Sequence, residues 1–102
     1  MTDALVFRAL ADPTRRQILQ ELKGRELGAG QIVDRFPISA PSISRHLSIL
    51  KAAGLIRERR EGNRILYRLE EDRLALTVGD FISSVCPAQI VLRARSRRGR
   101  RA

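Results

Sequence analysis

The segment from Ser39 to Gly54 limits the possible folds more than any other part of the chain. Ile43, Leu47 and Leu50 recur at i, i+4 and i+7, which places them on one stripe of an α-helix. Ser39 offers a side-chain oxygen to the first free amides, and Pro41 is tolerated because first-turn amides have no intrahelical acceptor. Gly54 supplies a left-handed exit. At about 100° per residue, Pro41, Ser44, Arg45 and Ser48 point away from the stripe, while Ser42 and His46 lie towards one flank. The predicted helix, Ser39 to Ala53, therefore has an outer face of short hydroxyls and a single arginine. A merely solvated face more often carries long Glu and Lys side chains in i, i+4 pairs.

What flanks this helix narrows the fold further. Downstream, Leu55–Arg60 and Arg64–Leu69 read as two strands joined by Glu61-Gly62-Asn63, where Gly and Asn both tolerate positive φ. Ile65, Tyr67 and Leu69 alternate with Arg64, Leu66 and Arg68, a period of two that puts the first set on the core. Upstream, one helix is predicted over Ala4 to Leu10. A second starts with Asp12 as cap and Pro13 in its first turn, buries Ile18, Leu19 and Leu22, and ends near Lys23-Gly24. A short third helix after Gly28-Ala29-Gly30 uses Ile32, Val33 and Phe36 as its apolar members and stops at Pro37. After Glu70-Glu71-Asp72, the residues Leu74, Val78, Phe81, Ile82 and Val85 form one stripe of a long last helix ended by Pro87. The order specifies a mainly α, α+β winged helix: a helix-turn-helix, then a two-stranded β-hairpin wing, between terminal helices.

Charge divides the chain into two parts. Of 102 residues, 20 are Lys or Arg and 11 are Asp or Glu, giving a net charge of +9. Six of the arginines (Arg93, Arg95, Arg97, Arg98, Arg100, Arg101) fall in the last ten positions, which hold no acid. Removing them leaves 14 basic against 11 acidic residues. Residues 1–92 therefore read as one mildly basic domain, and residues 93–102 as a cationic tail with little to bury, expected to be disordered. The tail is either a solubilising end or an arm that seeks phosphates. The conformation of Ala88–Leu92 does not follow from the sequence. No run approaches the roughly 18 apolar residues of a membrane span and no basic-then-apolar signal segment opens the chain, so neither a membrane span nor export is expected. One cysteine, Cys86, cannot form an internal disulfide, and points to the cytoplasm.

The predicted fourth helix has the size to enter a DNA major groove about 12 Å wide, and its small outer side chains let its axis approach the base edges. Ser39, Ser42, Ser44 and Ser48 can donate to phosphates or base acceptors, and Arg45 is the candidate for a bidentate contact to guanine. Pro41, on the same face, can touch a thymine methyl. Arg57, Arg59, Arg60, Arg64 and Arg68 crowd the hairpin; of these, Arg60 and Arg64, with Asn63, sit near the turn, in reach of the backbone or a narrow minor groove. Charge on an edge strand also prevents aggregation, but here it follows a groove-sized helix directly. Double-stranded DNA is the expected partner.

Ala9-Leu10-Ala11-Asp12-Pro13-Thr14-Arg15-Arg16-Gln17-Ile18-Leu19 resembles the opening signature of the ArsR/SmtB family of bacterial winged-helix repressors. Ser42-Ile43-Ser44-Arg45-His46-Leu47-Ser48-Ile49-Leu50-Lys51-Ala52-Ala53-Gly54-Leu55-Ile56 resembles that family's recognition helix, and Arg60-Glu61-Gly62-Asn63-Arg64 with Tyr67-Arg68-Leu69 its wing. The resemblance implies a homodimeric repressor on an inverted-repeat operator. It also implies an interface built from the first and last helices, here Leu5, Leu74, Val78, Phe81, Ile82 and Val85. It suggests a phosphate contact for His46; packing on the hairpin base with one nitrogen on a carbonyl is the alternative. One metal site of the family lies in a Glu-Leu-Cys-x-Cys-Asp-Leu segment, matched here by Glu26-Leu27-Gly28-Ala29-Gly30-Gln31-Ile32, with glycine at both thiolate positions. A second uses histidines and carboxylates on the last helix, whereas the lone histidine is His46. Zinc-like sites need three or four thiolate or imidazole ligands, so no metal, cofactor or small-molecule effector is expected. The remaining resemblance is to the metal-independent members of the family, such as the SdpR-type autorepressors.

Two other functions fit the same composition: a nonspecific architectural nucleic-acid-binding protein driven by tail and wing, and a winged-helix protein–protein adaptor. An enzyme is not expected, because one histidine on a groove-facing helix supplies no nucleophile–base–orienter set. Cys86 reads as a small apolar group at a helix end or as a redox switch.

Overall fold

In the computed structural model, which describes residues 3–87 and residue 94, the chain forms five helices and three strands among the described residues. The elements are α1 (Asp3–Leu10), α2 (Pro13–Glu21), β1 (Leu27–Gly28), α3 (Ala29–Val33), α4 (Ala40–Ala52), β2 (Ile56–Glu61), β3 (Arg64–Leu69) and α5 (Glu71–Val85). The expectations for Ala88–Leu92 and for the tail lie outside the described residues, apart from residue 94. No helix among the described residues is long and apolar enough to cross a membrane.

The predicted caps act as the chemistry requires. Asp12 accepts from the Arg15 amide at 3.1 Å to start α2, and Ser39 accepts from the Ser42 amide at 3.3 Å to start α4. Gly24 and Gly54 take φ of 71° and 76° just past the ends of α2 and α4, the left-handed exits that cost glycine least. The core gathers Val6 and Ala9 of α1, Ile18, Leu19 and Leu22 at α2, Ile32 of α3, and Ile43, Leu47 and Leu50 of α4. Ile18, Ile32, Ile43 and Leu50 are fully excluded from solvent. A Leu→Ala change at such a site typically costs about 2–5 kcal/mol, so this stripe fixes which face of α4 turns outward.

The sheet differs from the two-stranded expectation. β2 and β3 pair antiparallel as a hairpin, and β1 adds a third strand, with Leu27 opposite Tyr67 and Gly28 opposite Leu66. The hairpin turn is also tighter than expected: Glu61 pairs with Arg64, leaving Gly62-Asn63 as a two-residue loop. Only Gly62 takes positive φ, at 62°, so the glycine alone satisfies the turn. β1 explains a second correction. Leu66, expected on the solvent face with Arg64 and Arg68, is buried, because Gly28 and the start of α3 cover that face.

Candidate nucleic-acid interface

The outer face of α4 is built by its inner face. With Ile43, Leu47 and Leu50 held in the core, Pro41, Ser44, Arg45 and Ser48 are exposed, while Ser42 and His46 are half-buried on the flank. The Arg45 guanidinium has no hydrogen-bond or ion-pair partner within the described chain. Ser39 and Ser42 are partly committed to one another: besides the cap, the Ser39 hydroxyl donates to the Ser42 hydroxyl at 3.0 Å. Ser44 and Ser48 are unengaged, so the centre of the face is the part free to read a ligand.

Strand register divides the wing arginines. Residues opposite one another across antiparallel strands project to the same side. Ile56, Leu69, Glu58, Tyr67, Arg60 and Ile65 therefore share the α4 side, where Lys51 of α4 pairs with Glu58. That pairing holds the Lys51 ammonium above its usual pKa. Arg57, Arg68, Arg59, Leu66, Glu61 and Arg64 share the other side. There Arg57 meets Glu70 at 3.0 Å, and Arg59 grips Glu26 through two bonds of 2.7 and 2.8 Å and reaches Glu61 at 3.2 Å. The Arg59 hydrogen bond is the main cause that lowers the Glu26 pKa, and the same bond raises that of Arg59. Arg57 and Arg68 stand directly opposite each other, a like-charge pair that Glu70 offsets. Arg60, Arg64 and Arg68 have no such partner among the described residues. Arg60, Asn63 and Arg64 are exposed around the turn. The five arginines singled out in the hairpin are therefore of two kinds, and those nearest the turn keep their charge available.

His46 sits elsewhere than at the hairpin base. Its Nδ1 lies 3.3 Å from Nη1 of Arg15, at the start of α2, and no carbonyl of the described residues holds it. Arg15 is a site residue that sequence reasoning misses. It also donates to the carbonyls of Ala9 (2.8 Å) and Arg8 (3.1 Å), while Arg16 donates to that of Leu10 (2.7 Å). Together they satisfy the last carbonyls of α1, the orphan acceptors of a helix end. An arginine pair immediately after a helix–cap–helix junction is the available signal.

The apolar residues of the terminal helices divide as well. Leu5, Phe81, Ile82 and Val85 are exposed, as is Phe7, which no sequence pattern singles out. Phe7 and Phe81 meet edge to face with centroids 5.3 Å apart. Leu74 packs instead on the chain's own core, and Val78 is half-buried. Leu76 is exposed too, but at 200° from Leu74 on the helix it falls outside the stripe. Cys86 is half-buried with a free thiol. At the position matching the first thiolate of the family's metal site, a Cβ on Gly28 would come within 3.2 Å of an Arg64 nitrogen. Among the described residues no group of three or more His, Cys, Asp or Glu side chains is placed to hold a metal ion.

A family model described as bacterial regulatory protein, arsR family, matches residues 12–58. The transcriptional repressor SdpR of Bacillus subtilis (strain 168) is 55% identical over 64 residues, which span 63% of this chain and 71% of that protein. The HTH-type transcriptional regulator KmtR of Mycobacterium tuberculosis is 43% identical over 77 residues, covering 76% of this chain but only 59% of its own length. Among solved structures, an ArsR-like transcriptional regulator from Rhodococcus sp. RHA1 superimposes with a TM-score of 0.77 at 31% identity, over 99% of this chain and 93% of that one.

Proposed function

From the premise that the chain belongs to the ArsR family of bacterial regulatory proteins and is a DNA-binding winged-helix regulator, we propose that it is a homodimeric repressor of an inverted-repeat operator. The observation that carries this is the outer face of α4: Pro41, Ser44, Arg45 and Ser48 are exposed and short but for one unpaired arginine, beside the unpaired Arg60 and Arg64 of the wing. Arg45 reads a guanine edge, Ser44 and Ser48 contact bases or sugar, and Pro41 approaches a methyl. Ser39, Ser42 and His46 meet phosphates beside the groove, and Arg60, Asn63 and Arg64 follow the adjacent backbone or minor groove.

A second copy covers the exposed apolar surface of Leu5, Phe7, Phe81, Ile82 and Val85. Apolar residues on both terminal helices, with Phe7 against Phe81, form the kind of surface that a partner copy buries. The dimer carries two α4 helices, which reach successive major grooves about 34 Å apart. Occupancy of a promoter excludes polymerase, and the arginines of residues 93–102 add phosphate contacts of no sequence preference. With glycine at both thiolate positions, release does not run through the family's thiolate site, and the protein acts in the cytoplasm without a metal or small-molecule effector.

Selection of duplexes from a randomised pool by the full-length protein tests the reading. The expected product is an inverted repeat with half-sites one turn apart, bound by two protein copies. A pool that shows no enrichment, with affinity that vanishes on deletion of residues 93–102, would instead identify a nonspecific architectural binder. Binding to protein partners with no duplex affinity at low salt would identify an adaptor.

A further inference from the structure

Arg15 stands where three helices meet. Its Nε and Nη2 hold the carbonyls of Ala9 and Arg8 in the last turn of α1, at 2.8 and 3.1 Å, and its backbone amide holds the Asp12 carboxylate at 3.1 Å. The remaining nitrogen, Nη1, reaches Nδ1 of His46 on α4 at 3.3 Å. A guanidinium has donors and no acceptor. The bond therefore requires a lone pair on Nδ1, and a neutral imidazole with a lone pair there carries its proton on Nε2. The Asp12 carboxylate lies 3.9 Å from the same nitrogen, within ion-pair distance of a protonated ring but beyond hydrogen-bond reach, so Arg15 Nη1 is the group bonded to Nδ1 of the neutral ring. Nε2 bonds to nothing else among the described residues, and the side chain keeps 19% of its surface exposed.

We propose that Arg15 is a positioning residue for DNA binding: it fixes His46 in the Nε2–H tautomer, so that the flank of α4 presents a hydrogen-bond donor to a phosphate beside the groove. The inference rests on the DNA-binding reading above and deepens it. Charge plays no part in the donor itself, since a neutral ring with its proton on Nε2 serves a phosphate oxygen directly. Without Arg15 the ring is free to rotate and to exchange tautomers, and the donor is present for only part of the time. The same guanidinium holds the end of α1, so the helix that carries Leu5 and Phe7 is joined through one side chain to the helix that reads DNA.

Two measurements test this. In the free wild-type protein, nitrogen–proton correlation spectra of the one imidazole report the tautomer without any DNA: protonated Nε2 is expected, and a protonated Nδ1 overturns the proposal. On the duplex that wild-type protein enriches from a random pool, His46→Gln places an amide nitrogen where Nε2 lies and should bind within about threefold of wild type. His46→Asn places its amide at Nδ1 and should bind about tenfold more weakly, the effect of removing one hydrogen bond to a charged group. Arg15→Met should cost several-fold when His46 is present and less than about twofold when His46 is already Ala, since coupled residues fail to add. Asn better than Gln, or full additivity of the Arg15 and His46 changes, overturns the proposal. Wild-type protein that enriches no duplex overturns the DNA-binding reading instead, while the tautomer still decides the role of Arg15 in the free protein.

Discussion

The arginines of the wing stem and those of its turn differ in how far acids engage them. In the stem, Arg57 and Arg59 are hydrogen-bonded to Glu70, Glu26 and Glu61, with Arg68 left over opposite Arg57. Around the turn, Arg60 and Arg64 have no ion-pair partner among the described residues, the Glu61 opposite Arg64 being bonded to Arg59. The difference is one of position relative to carboxylates brought in by other elements: Glu26 precedes β1 and Glu70 precedes α5. Density of positive charge alone therefore does not say which cations are free to meet a phosphate. A cation already hydrogen-bonded to a carboxylate has less to gain from a phosphate, and the useful ones are those the fold leaves unpaired.

This contrast can be broken or sharpened by substitution. The largest effect is expected at Arg45, the unpaired arginine of α4: Arg45→Ala should reduce preference for the selected duplex over a scrambled one by about 10–100-fold, with an unchanged melting temperature. Next come Arg60→Ala and Arg64→Ala, which should weaken specific and scrambled duplexes alike. Each should also reduce the slope of log affinity against log salt by about 0.9 for every phosphate that is no longer neutralised. Arg59→Ala should be milder, changing duplex affinity by less than about twofold at 0.15 M salt, because its guanidinium is already hydrogen-bonded to Glu26 and Glu61. A weakening at Arg59 as large as at Arg64 would erase the distinction between stem and turn.

The smallest effect is a pH dependence. Glu26 has its pKa lowered from 4.5, chiefly by the Arg59 hydrogen bond. Folding then favours the ionised form, so this pair's contribution is present above about pH 4.5 and fades as pH falls through the lower, folded value. Melting temperatures of wild type and Glu26→Gln should differ slightly at neutral pH and converge on acidification below that point; a gap that widens in acid would contradict the assignment.

Much of this arrangement is legible in the chain alone, because its signals are local. Ser39, the Ile43–Leu47–Leu50 stripe and Gly54 define α4 within one stretch of sequence, and the stripe fixes the outward direction of Ser44, Arg45 and Ser48. The hairpin follows from Gly62 and a period of two. What escapes is contributed by distant partners. Leu27–Gly28 is too short to show alternation and becomes a strand only against β3. Leu66 reads as a residue on the wet side until β1 covers it. The pairing of Arg59 with Glu26 links positions 33 apart, and that of Arg15 with His46 positions 31 apart, which no helical or strand period can announce. Leu74 illustrates the converse: its place on the stripe is legible, but whether the stripe meets the chain's own core or a second copy depends on how α5 lies on α1.

Methylation protection of guanine N7 atoms on the selected duplex, compared between wild type and Arg45→Ala, tests the central claim most directly, since N7 lies in the major groove that α4 is proposed to enter. The expected pattern is one protected guanine in each half-site, the two about one helical turn apart, with both exposed again in Arg45→Ala while the backbone footprint persists. Guanines that stay reactive under bound wild-type protein, or protection that Arg45→Ala leaves intact, would contradict it.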